Sequence, residues 1–484
     1  MDLQGEIRMK KQYNTRAILI ALLLCGFVGM FSETSLNIAI TNLMEVFQIN
    51  AATAQWLTTG YLLTLGILVP FTGLLLQMYT TRQLFIVATA SLTLGIFLAA
   101  ISINFEMLMF ARVLQAGGMG LLLPLMFNTV LVIFPPEKRG LAMGYIGLVL
   151  SFAPAMGPAI SGTILQYLSW QFIFWLLLPV IIIGMVFGVK NLENVTEVRK
   201  QRIDFLSAIL STIGFGSIVF GFSHAGEAGE GWSSPLVLTL IIIGVIALTL
   251  FVFRQNNDQP LLNLRVFKYP MFVIGVFLVM MCMVINMSTM IVLPMFLQTG
   301  AGLSVLVTGL ILLPGSALNG VIQMIAGRLF DRYGPKWVII PGLVIVMLVL
   351  WFFTSLTPAS SVGLIIALYM ILMGGIALIW PASQTNALNQ LPSELYPHGS
   401  AVLNTLMQVI GAIGTAVAIS IVSGGMNQYL ATSSTPTMPD EIANAITVGA
   451  QNVFWTLMTV SVIGFIIGLF MRRSNYRKGS KEHA

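Results

Sequence analysis

The sequence predicts an all-α integral membrane protein of fourteen transmembrane helices, and three observations carry that prediction. The first is composition. Of 484 residues, 57% are apolar and 8% are charged, against about 25% charged in soluble domains. So few charges cannot cover a globular surface, and a chain solvated by lipid satisfies its backbone only as helices or closed barrels. The second is the pattern. Apolar runs continue for about 20 residues without alternation, which selects helices over a barrel. The third is the placement of basic residues, which marks one side of the membrane.

The runs lie near 17–40, 54–76, 83–101, 107–133, 140–164, 170–189, 205–223, 235–253, 271–295, 305–326, 337–356, 362–388, 400–424 and 453–471. The first is too long for a signal-peptide core and lacks a cleavage site, so it reads as a span. Arg8, Lys10, Lys11 and Arg16 precede it. Arg82, Lys138, Arg139, Lys190, Arg199, Lys200 and Arg202 fall in later loops of the same side. Arg254, Arg265, Lys268, Arg328, Arg332 and Lys336 continue the series, and Arg472 to Lys481 close it. The alternate loops hold Glu45, Glu106, Glu227, Glu230, Asp440 and Glu441 and no Lys or Arg. Positive residues face the cytoplasm, so both termini are expected there, in a multi-pass protein of the cytoplasmic membrane. Loop 389–399, which has no Lys or Arg, is the one exception on the basic side. The longest outer loop is expected over 425–452.

The same placement accounts for the net charge of +6 without a nucleic-acid partner. Cys25 and Cys282 both lie in apolar runs, which argues against a structural disulfide. His224, His398 and His483 are scattered and form no metal-ligand cluster. No G-x-x-x-x-G-K-[ST] signature is present, and no soluble segment is large enough to hold a nucleotide. No cofactor is expected; energy must come from an ion gradient. The bilayer itself is the chain's first partner.

Ionisable groups inside a span are unfavourable and therefore functional candidates. Glu33 lies about 26 Å along span 1 and Arg112 roughly 8 Å into span 4, at ~1.5 Å per residue. Both fall in the outer half, where they can pair across the bundle. Burial works against a charged carboxylate and a nearby cation works for it. A glutamate held between those effects can load and release a proton, with Asp204 next in line should Glu33 prove structural. Uncharged polar and aromatic candidates for a substrate cavity are Asn37, Gln55, Trp56, Tyr61, Gln115, Asn128, Asn286, Trp380, Gln384, Asn404 and Gln408. Apolar cavities with a few polar groups suit amphipathic ligands; interhelical hydrogen bonding explains the same residues. Met280, Met281, Met283, Met287 and Met290 form a flexible, polarizable run in span 9 that also serves as ordinary packing.

Four motifs resemble those of the major facilitator superfamily, specifically its fourteen-span drug:proton antiporters of the QacA, EmrB and LmrB kind. Glu33-Thr34-Ser35-Leu36-Asn37-Ile38-Ala39 resembles the span-1 signature, with Glu for the common Asp and Thr41 for the final Pro. Arg112-Val113-Leu114-Gln115-Ala116-Gly117-Gly118 resembles R-x-x-Q-G-x-G. Gly157-Pro158-Ala159-Ile160-Ser161-Gly162 resembles the antiporter motif G-P-x-x-G-G. The loop motif G-x-L-x-D-R-x-G-R-K is nearly intact at Gly327, Asp331, Arg332, Gly334 and Lys336. It recurs in degraded form, with Gly73 and Arg82 kept, Gln77 in place of Asp and Thr80 in place of Gly.

The resemblance implies a major facilitator fold of two six-helix bundles plus two extra spans. The expected organisation is a tail 1–16, a bundle 17–190, a linker with spans 7 and 8 over 191–269, a second bundle 270–471 and a tail 472–484. It implies proton coupling at Glu33 with help from Arg112, tight helix contact at Gly157, Pro158 and Gly162, and gating at the two loop motifs. In the intact copy the Asp can meet helix amino-terminal dipoles and lock a cytoplasmic gate. The implied function is proton-coupled export of drug-like amphipathic molecules by alternating access, not catalysis. EmrB-like relatives further imply a periplasmic adaptor where the source has a second membrane. A dedicated exporter of one metabolite, siderophore or lipid fits the same motifs, because function lives in the site and not the fold. A non-transporting membrane sensor or a membrane-bound enzyme is the third reading.

Overall fold

The computed structural model describes residues 14–36, 39–49, 51–194, 204–225, 232–255, 260, 262–433 and 438–472. The apolar runs fold as helices that present large hydrophobic side chains outward as well as inward, the mark of a lipid-solvated bundle. In chain order these are α1 Thr15–Ser35, α2 Ile40–Phe47, α3 Ala51–Met78, α4 Thr81–Ala100, α5 Phe105–Ile133, α6 Arg139–Tyr167, α7 Gln171–Asn191 and α8 Phe205–Ala225. They continue with α9 Pro235–Arg254, α10 Pro270–Met295, α11 Val305–Tyr333, α12 Lys336–Phe353, α13 Val362–Asn389, α14 Tyr396–Thr432 and α15 Pro439–Leu469. Apart from the short α2, fourteen long helices stand among the described residues. Twelve are long and apolar enough there to cross a membrane by length and composition; α6 and α8 complete the fourteen.

Local chemistry sets the helix ends. Thr80 and Gln83 close a reciprocal capping box at the start of α4. Asn104 caps α5 by accepting from the Met107 N–H at 2.9 Å. Gly334 takes φ of +88°, which lets the chain leave α11 and enter α12 two residues later.

Two expected boundaries differ. Span 1 is not continuous to residue 40: α1 stops at Ser35 and a short α2 resumes at Ile40. The outer loop expected over 425–452 is mostly helix, since α14 runs to Thr432 and α15 begins at Pro439. Polar residues hid that helix from the hydropathy pattern. Pro439 at the first helical position and Asp440 and Glu441 in the first turn suit a helix start, and Ser433 Oγ donates to Glu441 at 2.8 Å.

The helices pack in two groups. α1 and α3 to α7 contact one another, and so do α10 to α15. The groups meet along two seams, α6 against α11 and α3 against α14. α8 and α9 form a hairpin outside both groups, with α8 resting on α3 and on α14. Trp380 of α13 packs against the apolar clusters of both groups. Arg82, Lys138, Arg139, Arg328 and Arg332 share one end of the bundle, the basic face, with the start of α1 and the end of α15.

Candidate functional site

The break after Ser35 creates the first site. Carbonyls in the last turn of a helix lack onward partners. Arg112 of α5, fully buried, supplies donors to them. Its Nη1 donates to the Ser32 carbonyl at 2.9 Å and its Nη2 to the Glu33 carbonyl at 3.3 Å. Its Nε donates to the Leu57 carbonyl of α3 at 3.1 Å, and the guanidinium lies 4.2 Å from the centre of the Tyr61 ring. Gln115 extends the cluster. Its Oε1 accepts from Ser32 Oγ at 2.9 Å and from Arg112 Nη1 at 3.0 Å, and its Nε2 donates to the Gly95 carbonyl at 3.0 Å. One cation thus ties α1, α3 and α5 together, and Gln115 adds α4.

Glu33 and Arg112 are brought together, but not as the expected side-chain pair. The guanidinium takes the Glu33 main-chain carbonyl. The Glu33 carboxylate is half-buried and receives no hydrogen bond among the described residues. The physical reason is the helix break, whose orphan carbonyls compete for the same donors. Every other described carboxylate lies at a helix end or in a turn. On the far side of α1, Thr34 Oγ1 donates to the Pro154 carbonyl of α6 at 3.0 Å. A Cβ at Gly157 would run into Thr34 Oγ1, whereas one at Gly162 meets open space. The close contact next to Glu33 therefore belongs to Gly157.

The cavity candidates divide. Asn37 lies outside the described residues, as do the side chains of Gln55 and Pro158. Trp56 is 41% exposed and sits 5.3 Å from the Phe220 ring of α8, a contact with the hairpin. Gln115 is taken up by the arginine cluster. Asn404 Nδ2 donates to the Ser400 carbonyl at 2.8 Å within its own helix. Tyr61 Oη, both amide atoms of Asn128 and Gln384 Nε2 are buried without a partner among the described residues. Asn286 and Gln408 are half-buried.

The second site is the basic face. Asp331, in the last turn of α11, accepts from the Gly140 and Leu141 N–H groups, each at 2.9 Å. Those are unsatisfied donors in the first turn of α6, where a negative charge also meets the helix dipole. Gly140 and Gly327 allow the approach: a Cβ on either would strike the other's backbone or Asp331. Arg332 lies 5.1 Å from the Tyr333 ring and is exposed, as is Lys336. Arg139 adds a tie that motif spacing does not reveal. It is buried, donates to Asn389 Oδ1 at 2.8 Å and Tyr396 Oη at 3.1 Å, and holds the Phe134 carbonyl at 3.1 Å. Deeper in the same seam Gln323 meets Ser151 and Asn319.

In the degraded copy, Gln77 of α3 lies 2.7 Å from His398 Nε2 of α14, and Gly73 faces Ala401 and His398. The Arg82 N–H donates to Asn194 Oδ1 at 3.4 Å, away from the seam. Asp204 is bracketed at the foot of the hairpin by Arg254, whose Nε and Nη2 reach it at 2.6 and 3.0 Å. The Arg254 hydrogen bond holds its carboxyl down to about 2, so it stays ionised and does not suit a proton carrier.

Residues 22–415 match the family model of the Major Facilitator Superfamily. The chain is 56% identical to the lincomycin resistance protein LmrB of Bacillus subtilis over 98% of its own length and 99% of the relative's. It is 52% identical to the LmrB of Listeria monocytogenes, over 94% and 97%. Among solved structures it resembles the human organic anion transporter MFSD10, with a TM-score of 0.64 and 13% identity over 94% of this chain and all of that one. It also resembles the proton:xylose symporter XylE, with a TM-score of 0.63 and 13% identity over 95% and 97%.

Proposed function

We propose that this chain, which belongs to the Major Facilitator Superfamily, exports drug-like amphipathic molecules, lincosamides among them, in exchange for protons. The family is one of membrane transporters, not enzymes. The relatives that match it end to end carry the name of lincomycin resistance, which supports a drug as substrate over a single metabolite. The observation that carries the coupling is the arginine cluster. Arg112 is fully held by carbonyls, Gln115 and the Tyr61 ring. The Glu33 carboxylate beside it is left without a hydrogen bond among the described residues.

A proton on Glu33 would remove a charge from the joint between α1, α3 and α5. An unprotonated Glu33 would offer the cluster's cation a competing acceptor. Alternation between those two states at a helix break, where Arg112 and not the next helical turn holds the carbonyls of Ser32 and Glu33, is a means of moving α1 against α6. The basic face is assigned to the cytoplasm by the positive-inside rule, which places both chain ends there. Protons and the small-molecule substrate are then the soluble partners.

The test is proton-driven uptake of a fluorescent dye or labelled lincosamide into inside-out vesicles, comparing wild type with Glu33→Gln at equal expression. Uptake that collapses with the gradient and is absent from Glu33→Gln supports the assignment. Uptake that stays coupled to protons in Glu33→Gln removes Glu33 from the mechanism.

A further inference from the structure

We propose that His398 is a second proton-binding site, a latch that holds the α3–α14 seam shut while its ring is neutral and releases it when protonated. Three observations carry this. The ring is 4% exposed in the first turn of α14, between α3 and the segment leading into α10. Its Nδ1 accepts from the Asn263 N–H at 3.2 Å. Its Nε2 lies 2.7 Å from the side-chain amide of Gln77.

A neutral imidazole has one donor and one acceptor. Two donors face this ring. One is the Asn263 main-chain N–H; the other is Gln77 Nε2, which also donates to the Gly73 carbonyl at 2.9 Å, so its oxygen cannot turn to the ring. The neutral ring takes one of these donors at a time on its single lone pair, and three segments of chain meet on it. A second ring proton fills that lone pair and sets an N–H against each donor. The protonated ring keeps neither bond.

The charged and titratable groups on the elements around it are Tyr79 and Arg82 past the end of α3, Arg265 and Lys268 beyond Asn263, and Glu394 and Tyr396 at the start of α14. The ring bonds to Gln77 and Asn263 instead of any of these, so no carboxylate holds the imidazolium in place. Asn263 is in turn fastened to the hairpin. The Leu262 N–H donates to Gln255 Oε1 at 3.0 Å, and Gln255 Nε2 donates to Ser207 Oγ of α8 at 3.1 Å. The extra helix pair therefore anchors the latch across the seam on which α8 rests.

The inference concerns the seam and not the substrate, so its test needs no transport. Spin labels at exposed Tyr79 and Ser393 report the distance across the seam in the full chain in nanodiscs. The pH runs from about 8 to about 4, a range that covers ordinary and buried imidazoles. Measurements are made in a Glu33→Gln background, which removes that acid's titration. The expected result is a widening on acidification that His398→Gln abolishes. An unchanged pH response in His398→Gln, or a wild-type seam that stays closed to the lowest pH while folded, overturns the latch. Should His398→Gln fail to fold, Gln77→Met removes the donor across the seam and keeps the length of its side chain. The seam should then stand open at every pH; a closed seam that still responds to pH overturns the proposal.

Discussion

The two seams of the basic face occupy matching places in the two helix groups and are closed by opposite chemistry. At α6–α11 a carboxylate, Asp331, sits on the first turn of a helix and accepts two main-chain N–H groups. At α3–α14 the corresponding position is Gln77, and it meets an imidazole. The first contact is charge-assisted and backed by glycines that bring the helices to van der Waals distance. The second is neutral on one side and titratable on the other. A chain that keeps its intact loop motif on one seam and loses it on the other has one seam suited to a constant closure and one suited to a conditional one.

The largest change should come from filling the glycine contact. Gly140→Val would place its side chain into Gly327 and Asp331, an overpacking of about 1–3 kcal/mol against the closed state. Transport should fall by about fivefold to about a hundredfold, since every ~1.4 kcal/mol is a factor of ten, and spin labels across α6 and α11 should show that seam open. Asp331→Asn should act in the same direction more weakly. Bonds to a charged group contribute roughly 1.5–3 kcal/mol, and the amide keeps one acceptor. A widening of α6–α11 with α3–α14 unchanged would show that the seams act separately, and equal widening of both would merge them into a single gate.

Gln77→Asp restores the carboxylate of the intact motif and tests the comparison from the other side. A negative group beside the ring gives the imidazolium a partner. The α3–α14 seam should then stay closed on acidification, with the same label pair as readout. A seam that still opens with the wild-type profile would show that Gln77 is not what the protonated ring loses.

The smallest effect is expected at the hairpin's foot. Asp204 is held down to about 2 by its bond to Arg254 and has an ordinary value of 3.8. Any stability it lends is present above 3.8 and is lost only as pH falls through about 2. The bracket therefore adds no pH dependence over the range in which the latch is scanned. Arg254→Ala should lower the melting temperature only slightly, as for exposed ion pairs, and leave the pH profile of the α3–α14 seam in place. A shifted profile would mean that the hairpin transmits more than anchorage.

Much of this was legible before any coordinates. Long apolar runs and basic residues on alternate loops marked the helices and the end of the bundle that the basic residues share, and Gly327 to Lys336 marked one contact between helices, because lipid solvation and loop charge are properties of sequence alone. The sequence also singled out Glu33 and Arg112, the two charges that a span can least tolerate. Their relation was not legible. That Arg112 would take carbonyls and leave the carboxylate without a hydrogen bond depends on where α1 stops, and a helix end within an apolar run has no hydropathy signal. Trp56 illustrates the same limit: its type suited a cavity wall, and its position on α3 turned it to Phe220 of the hairpin.

The sequence by itself determined that this is a helical membrane protein of the major facilitator kind, with its ionisable residues few and placed. Only the tertiary structure decided which of them meet. Gln77 and His398 are 321 positions apart, and Arg139 and Asn389 are 250 apart. No periodicity records such pairs, because a hydrogen bond is fixed by the approach of two helices and not by the spacing of residues along either one.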